Sequence, residues 1–306
     1  MNIAAIIVLF EPETIGIQKI VSNIKSYCEY CNKIYIIDNS ENLHKQIAEN
    51  IYNCVYISNK NIGGIAKAQN IGCQQALNDG FQWVLTMDQD SFFDREQIQN
   101  YISQAEKYIK KDKNIVLLGP KIKNLNETIF WTKQIRFKIL SPLKRKILGK
   151  KYTPKFIPDI EEKDRLISSG NILNLYAWKD VNGFDEFLFI DQVDYDLCHK
   201  IKRNGKKIIQ FNKIYLNHRN GEKQKFTLLI KHQAAYTPFR LYHIFRNIFI
   251  EIYRFPEYKN FLKKELKEYY WDSCVNSLHC FRNIKIYKKA KKDFFEYINS
   301  NNEIGK

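Results

Sequence analysis

Short, wholly apolar runs alternate with stretches whose apolar residues recur at helical spacing. Ile3–Phe10 is apolar throughout, as a strand buried on both faces would be. Similar runs at Lys33–Ile37, Cys54–Ser58, Trp83–Met87 and Ile115–Leu118 predict four further strands. Between them, Ile17, Ile20, Val21, Ile24 and Tyr27 mark one helix. Gly64–Asn78 predicts a second, and Arg95–Lys111 a third with Ile98, Tyr101, Ile102, Ala105, Tyr108 and Ile109 as its buried stripe. Asp94 with Gln97 three residues on reads as a capping box that opens the third helix. The alternation predicts an α/β domain on a mostly parallel sheet covered on both faces.

The pattern loosens from Lys121 to Leu166. This stretch is basic (Lys133, Arg136, Lys138, Lys144, Arg145, Lys146, Lys150, Lys151) and reads as an excursion from the sheet over the active site. Order returns with Ser168-Ser169-Gly170-Asn171, then a helix over Val193–Asn204 that Gly205 stops as a C′ glycine, then a strand over Lys207–Asn212. Beyond Asn220 the chain reads as helical. Thr237-Pro238 supplies an N-cap and a proline at N1 for a helix to Phe255. That helix is apolar over most of its girth, with Arg240, His243, Arg246, Asn247 and Arg254 near one stripe. The expected division is a catalytic domain over 1–225 and a basic, aromatic-rich helical extension over 226–306.

The formal charge of +16 sharpens that division, because roughly +15 of it falls between Leu197 and Lys306. The C-terminal third therefore expects an anionic partner: a membrane face, a phosphorylated lipid or a nucleic acid. Exposed Phe, Tyr and Ile on the Pro238–Phe255 helix would add apolar insertion at a membrane. No basic residue precedes Ile3–Phe10, and Glu11-Pro12-Glu13 follows it, unlike a signal peptide. No apolar run is long enough to span a bilayer, so a cytoplasmic protein is expected. Seven cysteines without a secretion signal read as free thiols, and Cys28 and Cys31 as core residues continuing the first helix.

Ligands of an open α/β sheet bind beyond the carboxyl ends of its strands. Three acidic sites fall there: Glu11 after the first strand, Asp38-Asn39-Ser40 after the second, and Asp88-Gln89-Asp90 after the fourth. Two carboxylates on one tight turn can share a hard divalent cation with substrate phosphates. The glycines and small residues of Asn61, Gly63, Gly64, Ala68, Asn70 and Gly72 suit close backbone approach to a ligand.

These segments, in this order and spacing, resemble family-2 glycosyltransferases, and within them bacterial rhamnosyltransferases. The resemblance rests on Asp38-Asn39-Ser40, the run from Asn61, Thr86-Met87-Asp88-Gln89-Asp90-Ser91, Ser169-Gly170-Asn171 and Asn182–Asp194. His218 with Gly221, and the run from Arg240 through Tyr242 to Arg246-Asn247, extend it over roughly residues 3–255. Two departures stand out. Phe10-Glu11-Pro12 replaces the usual Tyr-Asn-Pro, and Val193-Asp194 replaces the Glu-Asp of the wider family, as in the rhamnosyl branch.

The resemblance implies a GT-A fold, a nucleotide-diphospho-sugar donor and magnesium or manganese. It implies Asp38 at the pyrimidine base, with Glu11, Asn39, Asn61, Gly63 and Asp88 around the nucleotide. Asp88, Asp90 and His218 would hold the metal. Asp194 would be the general base, with Asp191, Gly170, Arg240 and Arg246 around the acceptor or diphosphate. A single base carboxylate fits inversion, since retention by the hydrolase route needs a second, nucleophilic one. The implied donor is dTDP-L-rhamnose, with UDP-hexose or UDP-galactofuranose as alternatives. The implied acceptor is a lipid-linked surface glycan, on an anionic membrane surface. An acid-lined sheet edge would repel a nucleic-acid backbone. A nucleotidyltransferase would carry a glycine-rich loop with a basic residue where Glu11-Pro12-Glu13 stands.

Overall fold

The computed structural model describes residues 1–125, 158–218, 236–275, 277 and 279–304. Among the described residues nine strands form one sheet: β1 (Ile3–Leu9), β2 (Lys33–Asp38), β3 (Cys54–Ser58), β4 (Trp83–Asp88), β5 (Ser91–Phe92), β6 (Ile115–Asn124), β7 (Ile160–Glu162), β8 (Asn171–Asn174) and β9 (Lys207–His218). Their order is β3-β2-β1-β4-β8-β6-β9-β5, with β7 paired to β9. The β3-β2-β1-β4 half is parallel, as the apolar strands predict. β8 then enters antiparallel between β4 and β6, so the whole sheet is mixed.

Helices α1 (Ile17–Lys25), α2 (Lys45–Glu49), α3 (Gly64–Asn78), α4 (Arg95–Lys111), α5 (Leu175–Asp180) and α6 (Val193–Arg203) connect the strands. Each β1 face has its own core. Ala4, Ile6 and Val8 meet Ala66, Ala68 and Cys73 of α3, while Ile3, Ile7 and Leu9 meet Ile20 and Ile24 of α1 and Ile98 and Tyr101 of α4. At Gly72 an added Cβ would lie 2.5 Å from Ile6, so glycine lets α3 close on the sheet. α6 ends in a Schellman motif: Lys206 donates to the Ile201 carbonyl, Gly205 to that of Lys202, and Gly205 takes φ +71°.

Three local expectations are corrected. α1 stops at Lys25, so Cys28 and Cys31 sit partly exposed beyond it, packed against the core edge as free thiols. The capping box does not form. Asp94 instead accepts from Asn217 (3.2 Å), and Gln97 accepts from the Tyr215 amide (2.7 Å). β6 and β9 also run past their expected ends. Register passes from Pro120↔Phe211 to Lys121↔Tyr215, so β9 bulges at Asn212–Ile214 and then continues to His218. The bulge re-aims the strand toward the ends of β4 and β5.

The C-terminal region is helical: α7 (Pro238–Arg254), α8 (Lys259–Tyr270) and α9 (Cys280–Ile304). Thr237 caps α7 by accepting from the Arg240 amide. The polar stripe of α7 faces inward, with Arg246, Asn247 and Glu251 buried. Leu241, Ile244, Phe245 and Ile248 are buried as well, so most of the apolar surface of α7 packs inward, and Phe239 and Tyr253 are its large apolar side chains left exposed. Residues 126–157 of the Lys121–Leu166 excursion, with all its named basic residues, the domain boundary near 225 and Gly221 lie outside the described residues, while the ends of that stretch belong to β6 and β7.

Candidate active site

Parallel register brings the carboxyl ends of β1 to β4 to one edge: Leu9 pairs Asp38, Asp38 pairs Ser58, and Val8 pairs Asp88. Asp38 is fully buried there. Its carboxylate accepts from the Ser40 amide (2.9 Å), the Tyr56 hydroxyl (2.6 Å) and His44 (2.9 Å to Nδ1). Burial opposes ionisation, but these hydrogen bonds outweigh it and hold the carboxyl below its usual range. Asp38 therefore shapes the loop that Ser40 and His44 belong to, rather than offering its oxygens at the surface. His44 Nε2 reaches exposed Glu13 at 2.5 Å, completing a Glu13–His44–Asp38 relay. His44 and Tyr56 escape a sequence reading, because nothing in their spacing marks them.

Asn39 is buried, donating to the Gly64 carbonyl (3.1 Å) and accepting from Asn59 (2.7 Å). Asn61, Gly63 and Gly64 all take positive φ, turning the chain into α3. An added Cβ on Gly64 would lie 2.3 Å from the Phe189 carbonyl, and the Ile65 amide donates to that same oxygen (3.0 Å). Asn70 grips the Phe184 backbone from both sides, donating to its carbonyl (2.8 Å) and accepting from its amide (2.9 Å). The glycine-rich run thus docks the 184–192 loop. Glu11 is exposed at φ 45°, with its amide donating to Ser40 Oγ. Gln89 pairs with both the amide and the carbonyl of Phe10, extending the β1–β4 pairing.

Asp88, Asp90 and His218 converge, one ligating atom from each lying within 4.8 Å of the others. His218 Nδ1 is 3.3 Å from Asp90, 4.0 Å from Asp88 and 2.5 Å from Ser91 Oγ, which in turn accepts from Ser169 (2.8 Å). Burial pushes the Asp90 carboxyl up to about 6; His218 opposes the shift and the Asp88 charge adds to it. Asp88 is raised for the same first reason. Two partly buried carboxylates facing one imidazole nitrogen form a hard, mostly oxygen donor set, which fits a magnesium- or manganese-type cation.

Asp194 lies in the first turn of α6, where the N-cap is Gln192, so it is not the cap itself. One oxygen accepts from the Ser168 amide (3.1 Å). Although the side chain keeps some contact with solvent, burial pushes its carboxyl up to about 7, and the charges of Asp88 and Asp191 add to this. Asp194 therefore feels the charge of Asp88, one member of the Asp88–Asp90–His218 group.

The loop before Asp194 is strained: Phe189, Asp191 and Gln192 all take positive φ. α7 holds it. Asn247 donates to the Leu188, Ile190 and Asp191 carbonyls at 2.8–2.9 Å. Arg246 donates to the Phe187 and Leu188 carbonyls and is buried. Arg246 therefore ties α7 to this loop through its backbone carbonyls. Arg240 clamps the Asp191 carboxylate at 2.6 and 3.2 Å. Gly170 (φ +81°) lies beneath the site, where its carbonyl accepts from Tyr101 and an added Cβ would meet Leu216 and Pro120. It supports the start of β8.

A mixed α/β sheet with a carboxylate–imidazole cluster beyond its strand ends is the arrangement of the GT-A fold class. The glycosyl transferase family 2 model matches residues 13–166, half of the chain, and the protein belongs to that family. The dTDP-rhamnosyl transferase RfbF of Shigella flexneri is 26% identical over 251 residues, covering 81% of this chain and 79% of that protein. S. aureus TarS residues 1–349 in complex with UDP-GlcNAc has the same fold, with TM-score 0.59 and 18% identity over 96% of this chain and 80% of that one. The chain spans 49% of a longer TarS structure. GalNAc-T7 with UDP, GalNAc and Mn2+ matches at TM-score 0.51 and 14% identity, over 98% of this chain and 57% of that one.

Proposed function

We propose that this glycosyltransferase moves L-rhamnose from dTDP-L-rhamnose, with inversion, to a hydroxyl of a lipid-linked surface glycan. The observation that carries the reaction is the placement of Asp194 in the first turn of α6, its carboxylate held by the Ser168 amide and raised by burial and by the charges of Asp88 and Asp191. The donor reading is supported by similarity to a dTDP-rhamnosyl transferase over most of both chains.

In this reading Asp194 accepts the proton of the acceptor hydroxyl. The freed oxygen attacks the anomeric carbon from the face opposite the diphosphate, and the bond from that carbon to the diphosphate oxygen breaks. Asp88, Asp90 and His218 would hold magnesium or manganese, which supplies Lewis-acid neutralisation of the departing diphosphate. Asp38, through the loop it orders, together with Asn39, Asn61, Gly63 and Glu11, forms the nucleotide end. Asp191, fixed by Arg240, borders the acceptor side. The catalytic part corresponds to residues 1–225, with 226–306 as its helical extension.

A lipid-linked acceptor is held at the cytoplasmic face of the cell membrane, and the basic C-terminal third suits an anionic leaflet. No helix among the described residues is long and apolar enough to cross a membrane.

A donor screen tests the reading. dTDP-rhamnose, UDP-hexoses and UDP-galactofuranose are each incubated with the protein and a divalent cation, and products are read by mass spectrometry. A new rhamnoside with free dTDP is expected. Preference for a UDP sugar would reject the donor, and a new nucleotide sugar with pyrophosphate would reject glycosyl transfer.

A further inference from the structure

Helix α9 has two faces of opposite character. Tyr287, Ala290 and Phe294 recur at helical spacing on the inner one. Tyr287 meets Phe245 (ring centroids 5.1 Å apart) and Phe294 stacks on Phe249 (5.4 Å), fastening α9 to α7. Phe281, Lys285, Lys288, Lys292 and Phe295 recur at the same spacing on the outer face, and all are exposed. Arg282, Lys289 and Lys291 flank this stripe and are exposed too.

Acid is scarce beside these cations. Lys292 approaches Glu296 at 3.5 Å, and Asp293 accepts the Tyr242 hydroxyl (2.5 Å). Among the described residues, Arg282, Lys285 and Lys288 form no ion pair, and the face is basic as a whole. Large apolar side chains frame it. Phe281 is 82% and Phe295 51% exposed, about 21 Å apart along the helix axis. Trp271 (54%) and Val275 (46%) stand exposed between α8 and α9, next to the Phe281 end.

We propose that the outer face of α9, with Trp271 and Val275, seats the protein on an anionic lipid bilayer. A bilayer rewards both features: its headgroups attract the lysines, and its interface accepts the aromatic and aliphatic side chains that water disfavours. A duplex nucleic acid, whose bases are already stacked, or another soluble polyanion rewards the cations, but offers no apolar phase to Val275 or to phenylalanines at both ends of the stripe. With the helix lying in the membrane plane, Phe281 and Phe295 insert at either end of the lysines. The inference also places the membrane contact on α9 and not on α7, whose Leu241, Ile244, Phe245 and Ile248 are buried and which exposes Phe239 and Tyr253 only at its two ends. It rests on the reading of a membrane-held acceptor, yet its test uses no donor, so failure here leaves the transfer reaction standing.

The full chain is mixed with vesicles of phosphatidylglycerol in phosphatidylcholine and separated by flotation, with pure phosphatidylcholine vesicles and a duplex DNA oligonucleotide as comparisons. The protein is expected to float with the anionic vesicles at low salt, stay behind with the neutral ones, and be released as salt rises. Charge reversal at Lys285→Glu, Lys288→Glu and Lys292→Glu together lowers partition by about tenfold or more. Trp271→Ala with Phe281→Ala lowers vesicle binding while leaving binding to DNA unchanged. Circular dichroism checks the helices, and Lys→Gln at the same three positions replaces the reversal set if its helical signal falls. Wild-type protein that ignores anionic vesicles at low salt overturns the proposal. So does equal flotation of the folded lysine variants. An aromatic double variant that floats like wild type overturns the insertion of Trp271 and Phe281 and leaves an attraction that any anionic surface would satisfy.

Discussion

His218 Nδ1 lies 3.3 Å from the Asp90 carboxylate, brought there by a strand that bulges and then runs on to the end of the sheet. The pairing joins a strand-end turn to a residue more than a hundred positions later. It makes the Asp88–Asp90 turn a three-ligand cluster.

Replacing Asp90 by Ala is expected to lower transfer on the order of 10³-fold, as loss of several kcal/mol of charge stabilisation implies. Excess EDTA should do the same to wild type, and manganese or magnesium should restore it. The fold should survive, because Asp90 is at the sheet edge and only partly buried. Release of nucleoside diphosphate, followed alongside the circular dichroism spectrum, checks both parts. Full turnover in EDTA would remove the cation from the reaction.

Asp194→Asn is expected to cost about two to four orders of magnitude in kcat with donor binding unchanged. The base must be ionised, so wild-type kcat should rise with pH through about 7 and then level off. Stability runs the other way. A carboxyl raised from 3.8 to about 7 by folding favours the fold at low pH and loses that contribution as pH climbs through 7. Asp194→Asn should therefore gain stability relative to wild type above pH 7, on the order of 2 kcal/mol. Thermal melts across pH and a kcat–pH profile read the two effects. Collapse of donor binding would move the base assignment to Asp191.

His44 is a pH-sensitive support. Burial disfavours its charged form, but hydrogen bonds to Asp38 and Glu13 outweigh this and raise its pKa above 6.5. The protonated ring thus stabilises the fold below 6.5, and that contribution fades as pH rises through the higher folded value. The stability lost in His44→Gln should be larger near pH 6 than near pH 9, as denaturant titrations would show. A difference independent of pH would mean the ring stays neutral.

Asn247 is fully buried and serves three loop carbonyls. Asn247→Ala should lower stability by about 2–4 kcal/mol, because those acceptors lose their donor beneath a strained loop. Hydrogen exchange of the 188–192 amides should speed up more than that of β1. Uniform acceleration across the sheet would show that Asn247 holds the fold at large and not this loop.

How much of the site is legible depends on the range of the interactions involved. Asp88, Asp90 and Asp194 stand out because each follows a strand or opens a helix, and strand ends in a parallel sheet share one edge. Arg240 and Arg246 stand out only as charges on a helix. Arg246 is buried against backbone carbonyls, a use that no local spacing announces. His44 and Tyr56 are hidden for the same reason, since their partner Asp38 is on another strand or across a loop.

The sequence by itself determined the apolar strands, the spans of α3 and α4, the glycine stop after α6 and the threonine–proline start of α7. Each is a matter of periodicity or capping within a few residues, and local sterics and hydrogen bonding suffice to settle it. Tertiary structure decided the antiparallel entry of β8, the extension of β9 to His218, the inward turn of the α7 polar stripe and the use of Asp94 and Gln97 as ties to β9. Those outcomes turn on which distant group satisfies a buried donor or acceptor. That choice exists only once the sheet has brought the candidates within hydrogen-bond reach.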